Sequence, residues 1–294
     1  MIATLRRRGI AVRALTRTHS DEDSVAVGEI GPHTDWSRAL KGVSHVIHTA
    51  ARAHVIQENS ASALKFYREI NVEGTRCLAE QASLAGVRRI VFVSSIKVSG
   101  ERTRSGAPFT ARDHPAPEDA YGVSKWEAEQ ALAAVTRGTD LEAVVVRPPL
   151  VYGPSVKGNF ARLVSWVRAG IPLPLGAVRN RRSLVALDNL TDLLACCATH
   201  PSAAGKIFLA GDGEDLSTPE LIRRIARAVN RPVRLISLPT NCLCIAAQLI
   251  GRGAEVDRLI GSLQVDIGPT CDILDWRPPL TIDEGLAKTV ATSL

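Results

Sequence analysis

Residues 89–100 read Arg-Ile-Val-Phe-Val-Ser-Ser-Ile-Lys-Val-Ser-Gly, and residues 121–125 read Tyr-Gly-Val-Ser-Lys. The first stretch is an apolar run that fits a buried strand from Arg89 to Ser94, ending in hydroxyls. The second opens a helical pattern from Tyr121 to Val135, entered from the proline-rich loop Pro115-Ala-Pro-Glu-Asp119. A Tyr and a Lys four apart lie on one helical face. An ammonium near a phenol favours the phenolate, which brings the Tyr pKa from about 10 toward the working pH. A phenol tuned in this way can pass a proton to or from a carbinol oxygen while a hydride leaves or arrives. Ser95 stands 26 residues before Tyr121, at the carboxyl end of a strand. Open α/β sheets bind ligands there, so its hydroxyl can bond the same oxygen. Each sign is weak alone, because Y-x-x-x-K pairs arise by chance and a strand-end Ser is commonly turn chemistry. Their order, strand, Ser, proline loop, Tyr–Lys helix and next strand, makes the joint reading specific.

The rest of the first half repeats this alternation. Ile10 to Thr16 and Val43 to His48 read as strands, the second ending at Thr49-Ala50-Ala51. Between about Ala61 and Ala85 a helical pattern places Leu64, Tyr67, Ile70, Leu78 and Ala82 near one face. Leu141 to Arg147 is a further strand, closed by Pro148-Pro149. Strands alternating with helices predict an α/β fold, a Rossmann-type doubly wound parallel sheet over residues 1–150. Residues 151–294 mix short helical patterns (189–199, 218–229, 256–263) with short strands (206–209, 234–236). They read as a smaller, mainly substrate-binding lobe laid over the strand ends.

Composition narrows the function. The 294 residues are 45% hydrophobic and 22% charged, enough to bury a core and too apolar for disorder. Aromatics at 4% argue against a β-sandwich, a β-barrel or a base-stacking nucleic-acid binder. The net charge is +6, and 29 of the 36 basic residues are Arg, spread along the chain. That spread suits small anionic ligands and not a nucleic-acid duplex, which needs a continuous basic face. None of the six cysteines forms a C-x-x-C pair, so neither a disulfide framework nor a metal site is expected. Arg6-Arg7-Arg8 has no apolar run behind it, so no signal peptide is read. The apolar stretch Leu243 to Ile250 is too short to span a bilayer and reads as a buried helix or a dimer face. The expected location is the cytoplasm.

Seven segments together resemble the extended short-chain dehydrogenases/reductases of the NAD-dependent epimerase/dehydratase type, exemplified by UDP-glucose 4-epimerase. They are His48-Thr-Ala-Ala51, Asn71-Val-Glu-Gly-Thr75, Val93-Ser-Ser95, Tyr121-Gly-Val-Ser-Lys125, Arg147-Pro-Pro-Leu-Val-Tyr-Gly-Pro154, Arg182-Ser-Leu-Val and Asp275-Trp-Arg-Pro. The resemblance covers nearly the whole chain. Within it, SSIKVSGE, YGVSKWEAE, RPPLVYGPSVKGNF and NRRSLV are similar to a narrower group from surface-polysaccharide clusters. That group comprises the UDP-N-acetylquinovosamine 4-dehydrogenases (ketoreductases) and related C4 epimerases. The resemblance implies that Tyr121 is the acid/base, that Lys125 tunes it and holds the nicotinamide ribose, and that Ser95 bonds the C4 oxygen. It implies that Asn71 supports the site, Ala50 and Ala51 let the cofactor pass close to the backbone, and Pro148 abuts the nicotinamide. Asn159 and Arg182 match sugar-nucleotide positions, with Arg182 on the pyrophosphate and Arg258 a second candidate there. A homodimer is also implied.

The departures matter as much. The family opens with a strand and a G-x-x-G-x-x-G turn that carries the cofactor pyrophosphate, and this sequence has neither. Met1 to Arg8 reads instead as the back half of the following helix. The expectation is that roughly 15 to 25 residues of the usual unit precede Met1 in the complete protein. The alternative is a degenerate protein that lost its cofactor. At the end of the strand over 10–16, which matches the family's second, Thr16-Arg17-Thr18 stands where NAD-preferring folds place an acid, which leans toward NADP or relaxed specificity. Glu29-Ile30 stands where the family has Asp and an aliphatic residue against the adenine. Ile96-Lys97 replaces the Asp-Glu pair of sugar-nucleotide 4,6-dehydratases, so elimination has no proton shuttle.

The leading expectation is therefore an NAD- or NADP-dependent enzyme acting at C4 of a UDP-hexose or UDP-N-acetylhexosamine in surface-polysaccharide sugar synthesis. An epimerase and a ketoreductase would use the same three residues. A non-sugar ketone reductase and a non-catalytic nucleotide-binding protein are the other readings.

Overall fold

The computed structural model describes residues 1–21, 24–53, 60–104, 106–249 and 253–291. Helix α1 (Ile2–Arg7) leads into strands β1 (Ala14–Thr16) and β2 (Ser24–Ala26), then α2 (Ser37–Leu40) and β3 (His45–His48). Helix α3 (Ser60–Tyr67) runs through a π-helical turn, Arg68–Glu73, into α4 (Gly74–Leu84), and β4 (Arg89–Val93) follows. Helix α5 (Ala120–Thr136), β5 (Glu142–Arg147), β6 (Leu150–Tyr152), α6 (Gly158–Arg168), β7 (Arg182–Ala186) and α7 (Leu187–Thr199) come next. The chain continues as β8 (Ile207–Leu209), β9 (Asp215–Leu216), α8 (Thr218–Ala228), α9 (Thr240–Leu249), α10 (Gly253–Ile260), α11 (Gly268–Leu274) and α12 (Ile282–Ala291).

The main sheet has the order β3-β4-β5-β8 and is parallel throughout. Its strands show why they read as continuous apolar runs, since a parallel sheet is covered on both faces. Ile90, Phe92 and Val145 point to one face, onto α4 and α5, while Val91, Val144 and Val146 point to the other, onto α7. Arg89 is buried at the foot of β4. It donates to Glu142 and to the carbonyls of Cys197 and His200, which satisfies the open C-terminal end of α7. A third sheet, β6-β7-β9, builds the C-terminal lobe with α6, α8 and α12 around Leu184, Ile222, Ile225 and Leu286.

Several expectations change here. β1 and β2 pair in parallel as a two-stranded sheet of their own and do not bond to β3. The strand expected over residues 10–16 is only Ala14–Thr16, because it has a ladder partner on one side alone. The expected helix over 61–85 contains the π turn. The expected strand over 234–236 is reduced to a single bridge, Leu173 to Leu235. The chain also crosses the division expected at residue 150, since α7 packs on β3, β4 and β5, and β8 completes the main sheet.

Candidate functional site

The site gathers where β4 and β5 end. The Ser94 N–H donates to the Val146 carbonyl (2.8 Å) and the Ile96 N–H to the Pro148 carbonyl (3.0 Å). These bonds seat the turn bearing Ser95 against buried Pro148. Ser95 N-caps that turn, its Oγ accepting from the Lys97 N–H. Asp119 N-caps α5 by accepting from the Gly122 N–H (2.7 Å), which fixes Tyr121 in the first turn. Gly122 is required there, because a Cβ would lie 2.9 Å from the Lys97 carbonyl.

Lys97 joins the two caps. Its ammonium donates to Asp119 and, at 2.7 Å, to Glu101. Burial works against this charge, yet the two carboxylates hold the Lys97 pKa above its ordinary value. The sequence reading treated Lys97 only as the missing dehydratase carboxylate, whereas it clamps the Ser95 turn to the Tyr121 helix.

Asn71 lies in the π turn, a device common at functional sites. It is buried and fully engaged: Oδ1 accepts from the Arg52 N–H (2.8 Å), and Nδ2 donates to the Arg52 carbonyl and to Ser124 Oγ (3.0 Å). It thus ties the chain leaving β3, just beyond Ala50 and Ala51, to the helix turn between Tyr121 and Lys125. His48 Nε2 lies 3.1 Å from Thr75 Oγ1. Burial, with the Lys125 charge nearby, pushes His48 down to about 3, so it is neutral.

Lys125 is 1% exposed. Its Nζ sits 4.0 Å from the centre of the Phe92 ring and has no hydrogen-bond or ion-pair partner among the described residues. Burial lowers its pKa to about 7, opposed by the Glu129 carboxylate. The Tyr121 ring meets Tyr67 edge-on at 5.9 Å. The expectation of a lowered phenol is overturned: burial first, then the Asp119 charge and Tyr67, push Tyr121 up to about 12. Spacing put Lys125 on the Tyr121 face, but burial weakens the ammonium, and the charge that acts on the phenol, that of Asp119, is negative.

Behind this face lies a pair that sequence reading missed. Arg147, 1% exposed, donates twice to Glu129, Nε to Oε1 at 2.9 Å and Nη2 to Oε2 at 2.6 Å. Ser94 Oγ also donates to Glu129. The only available signal was position, since Glu129 is one turn beyond Lys125.

The other predicted residues are dispersed. Arg182, at the start of β7, donates to the Gly261 carbonyl (3.0 Å). Burial lowers its pKa and the nearby Glu101 opposes this, so Glu101 faces both Lys97 and Arg182. Asn159 is exposed on α6 and accepts from Arg162. The Arg258 side chain lies outside the described residues, although its backbone is in α10. At the end of β1, Thr16 donates to the His19 carbonyl, and Arg17 pairs with Glu29 at 3.0 Å, both exposed. Ile30 packs on Gly74, whose Cβ would lie 2.7 Å from the Ile30 methyl. Among the described residues no cluster of His, Cys, Asp and Glu could hold a metal, and no helix is long and apolar enough to cross a membrane.

Residues 1–211 match the NAD dependent epimerase/dehydratase family. The chain is 45% identical over 294 residues to a UDP-glucose 4-epimerase of Vibrio cholerae, covering 99% of this chain and 90% of that protein. It is 23% identical over 288 residues to an N-acetyl-alpha-D-glucosaminyl-diphospho-ditrans,octacis-undecaprenol 4-epimerase of Escherichia coli O157:H7, covering 93% and 85% of the two. In fold it matches the solved structure of MoeE5 in complex with UDP-glucose and NAD, with TM-score 0.77, 23% identity and 99% and 93% coverage. With the match running through both the Ser95 turn and the Tyr121 helix, and a full-length relative at 45% identity, the chain belongs to the NAD dependent epimerase/dehydratase family.

Proposed function

We propose that the protein interconverts C4 epimers of a UDP-hexose. The observation that carries this reading is the 45% identity, along nearly the whole chain, to a UDP-glucose 4-epimerase. An N-acetylated hexose is the finer form of the proposal. It rests on the narrower resemblance of SSIKVSGE and NRRSLV, and on the N-acetylglucosaminyl substrate in the name of the 23% relative.

The family's cofactor is NAD, and the residues present fit it. A buried ammonium with no acceptor among the described residues calls for one, and the hydroxyls of a ribose supply it at Lys125. The family supports NAD, and Arg17, which leaned the reading toward NADP, pairs with Glu29 at the surface. In this reading Thr16, Arg17, Glu29, Ile30, Ala50, Ala51 and Pro148 line the cofactor, with Asn71 fixing the backbone between them. Held by these residues, NAD would supply the hydride chemistry at C4.

The chain's own part is proton transfer and positioning. The Tyr121 phenolate accepts the C4 hydroxyl proton as that carbon is oxidised, and the resulting phenol gives it back on reduction. Ser95 Oγ bonds the same oxygen and holds it through both half-reactions. A phenol pushed up to about 12 is a ready donor for the return step. Lys125 must lower it for the forward step, and its charge does so more strongly once acceptors around Nζ favour the ammonium. Arg182, with Arg258 and Asn159, holds the nucleotide diphosphate. The homodimer belongs to the same proposal.

The test is conversion of UDP-glucose to UDP-galactose by the pure protein without added cofactor, with bound nucleotide identified after denaturation. Turnover with NAD released, reduced about 10²- to 10⁴-fold in Tyr121→Phe, is expected. Stoichiometric NADPH consumption with a 4-keto sugar nucleotide would overturn the epimerase reading in favour of a ketoreductase.

A further inference from the structure

From Leu221 to Ala254 the sequence contains six arginines and neither Asp nor Glu. Arg224 is taken up by Glu214 and Asp283. Arg223, Arg227, Arg231 and Arg234 are exposed, and their guanidinium groups have no ion pair or hydrogen bond among the described residues. Helix geometry accounts for two of them. The buried side of α8, Leu221, Ile222, Ile225 and Ala226, packs toward α6 and α12, which leaves Arg223 and Arg227 on the outer ridge at i, i+4.

The same stretch exposes apolar side chains. Among the described residues thirteen large hydrophobics are exposed, and four of them, Val233, Ile236, Leu238 and Ile245, fall within 13 residues. Ile236 is 49% and Ile245 60% exposed. Ile171 joins them, beside Val233 and Arg234 along one shallow groove. Residues 234–236 are held in an extended path. The Leu173 N–H donates to the Arg234 carbonyl (2.8 Å), the Ile236 N–H to the Leu173 carbonyl (2.9 Å), and the Gly176 N–H to the Ile236 carbonyl (3.0 Å). Leu235 packs inward against the lobe core, so its neighbours Arg234 and Ile236 face out. Residues 243–249 of the apolar run expected to be buried or to form a dimer face lie in α9, with Ile245 in the open, and residue 250 lies outside the described residues.

A segment that exposes Val233, Ile236, Leu238 and Ile245 together with unpaired arginines, and that contains no carboxylate, complements an anionic lipid surface. Apolar side chains enter the headgroup boundary while guanidinium groups meet phosphates. A ten-residue helix is about 15 Å long, too short to span a bilayer but long enough to lie on one. A second copy is a poor occupant, since a two-fold contact would set the arginine rows against each other. Nucleic acid would use the arginines but leave Ile236, Leu238 and Ile245 without a role. We propose that this side of the C-terminal lobe, the outer ridge of α8, residues 231–239 and α9, is a peripheral docking face for anionic lipid bilayers.

The experiment is co-sedimentation of the full chain with vesicles of phosphatidylcholine alone or with roughly one-third phosphatidylglycerol, at low and high salt. Two double variants accompany it, Arg231→Gln with Arg234→Gln and Ile236→Ser with Ile245→Ser. All four positions are exposed, and unchanged melting temperatures confirm folding. Binding to the anionic vesicles only, weakened by salt, is expected. Each arginine removed weakens it about fivefold, the equivalent of about 1 kcal/mol, so the pair costs about 25-fold. The isoleucine pair costs roughly tenfold through lost insertion. No binding to anionic vesicles at low salt overturns the proposal, as does equal binding by all three proteins. A dimer dissolved by the isoleucine variant, without vesicle binding, would assign the face to a second copy. Retention on duplex DNA that ignores the isoleucines, without vesicle binding, would make it a polyanion site.

Discussion

Replacing Glu129 by Gln removes one charge from a pair that is out of water on both sides, Arg147 being 1% and Glu129 4% exposed. The amide keeps the volume and can still accept from Ser94, but it cannot balance the guanidinium that donates two bonds to the carboxylate. Arg147 Nη1 keeps only a long contact to Ser99 Oγ at 3.4 Å. A buried ion left without its partner costs about 3–5 kcal/mol. An unfolding entropy near 2.1 cal/mol/K per residue is about 0.6 kcal/mol/K for 294 residues, so the melting temperature should fall about 5–8 °C. The double variant Glu129→Leu with Arg147→Met should recover most of that loss, because a buried pair exchanged for apolar volume is often neutral or stabilising. The assay is thermal unfolding by circular dichroism at fixed pH and fixed nucleotide content, since bound nucleotide raises the melting temperature on its own. A single variant melting within about 1 °C of the parent, or a double variant no better than the single, would refute this account of the pair.

Two further outcomes follow from the titrating groups. Lys125 has its pKa lowered from 10.5 to about 7, so the unfolded chain holds the extra proton between those values and native stability rises with pH across that window. Below about 7 the penalty for burying the ammonium is present in full. Lys125→Met should therefore lose activity about 10²- to 10⁴-fold while flattening the rise in melting temperature between about pH 7 and 10, and a parallel slope in parent and variant would contradict this. Asp119→Asn keeps the helix cap, because Asn caps as well as Asp, but removes a charge that raises the Tyr121 pKa. With a lower pKa more phenolate exists at a given pH, so the rising limb of kcat/KM should move to lower pH. A limb that stays in place would mean that Asp119 acts only as a cap.

The alternation of Ile90, Val91 and Phe92 was legible because side chains on a strand alternate between faces, and a sheet covered on both sides needs both to be apolar. The Tyr121–Lys125 face was legible for the corresponding helical reason, and Ser95 by its place after an apolar run. Local spacing carries this information, so no other part of the chain had to be known.

The charges of the same residues were not legible. Lys125 was expected to lower Tyr121, but whether an ammonium remains charged depends on how much water reaches it, and Phe92 and Glu129 come from outside the motif or from its far side. The partners of Lys97, Arg147 and Asn71 stand 4 to 53 residues away, at Glu101, Asp119, Glu129 and Ser124. Apart from Lys97 and Glu101, which share i, i+4 spacing, no periodicity links these positions, since the fold alone brings them together. The division of the parallel strands into β1-β2 and β3-β4-β5-β8 is likewise a matter of ladder partners. The exposure of Ile245, in a run that hydropathy assigned to a buried helix or a dimer face, is also set by tertiary packing. One-dimensional spacing chose the fold and the Tyr121–Lys125 face proposed for proton transfer, because repeat period and motif order are properties of the chain. Burial, counter-charge and the joining of the Ser95 turn to the Tyr121 helix were set by tertiary packing, because the energy of a charge depends on its surroundings in three dimensions.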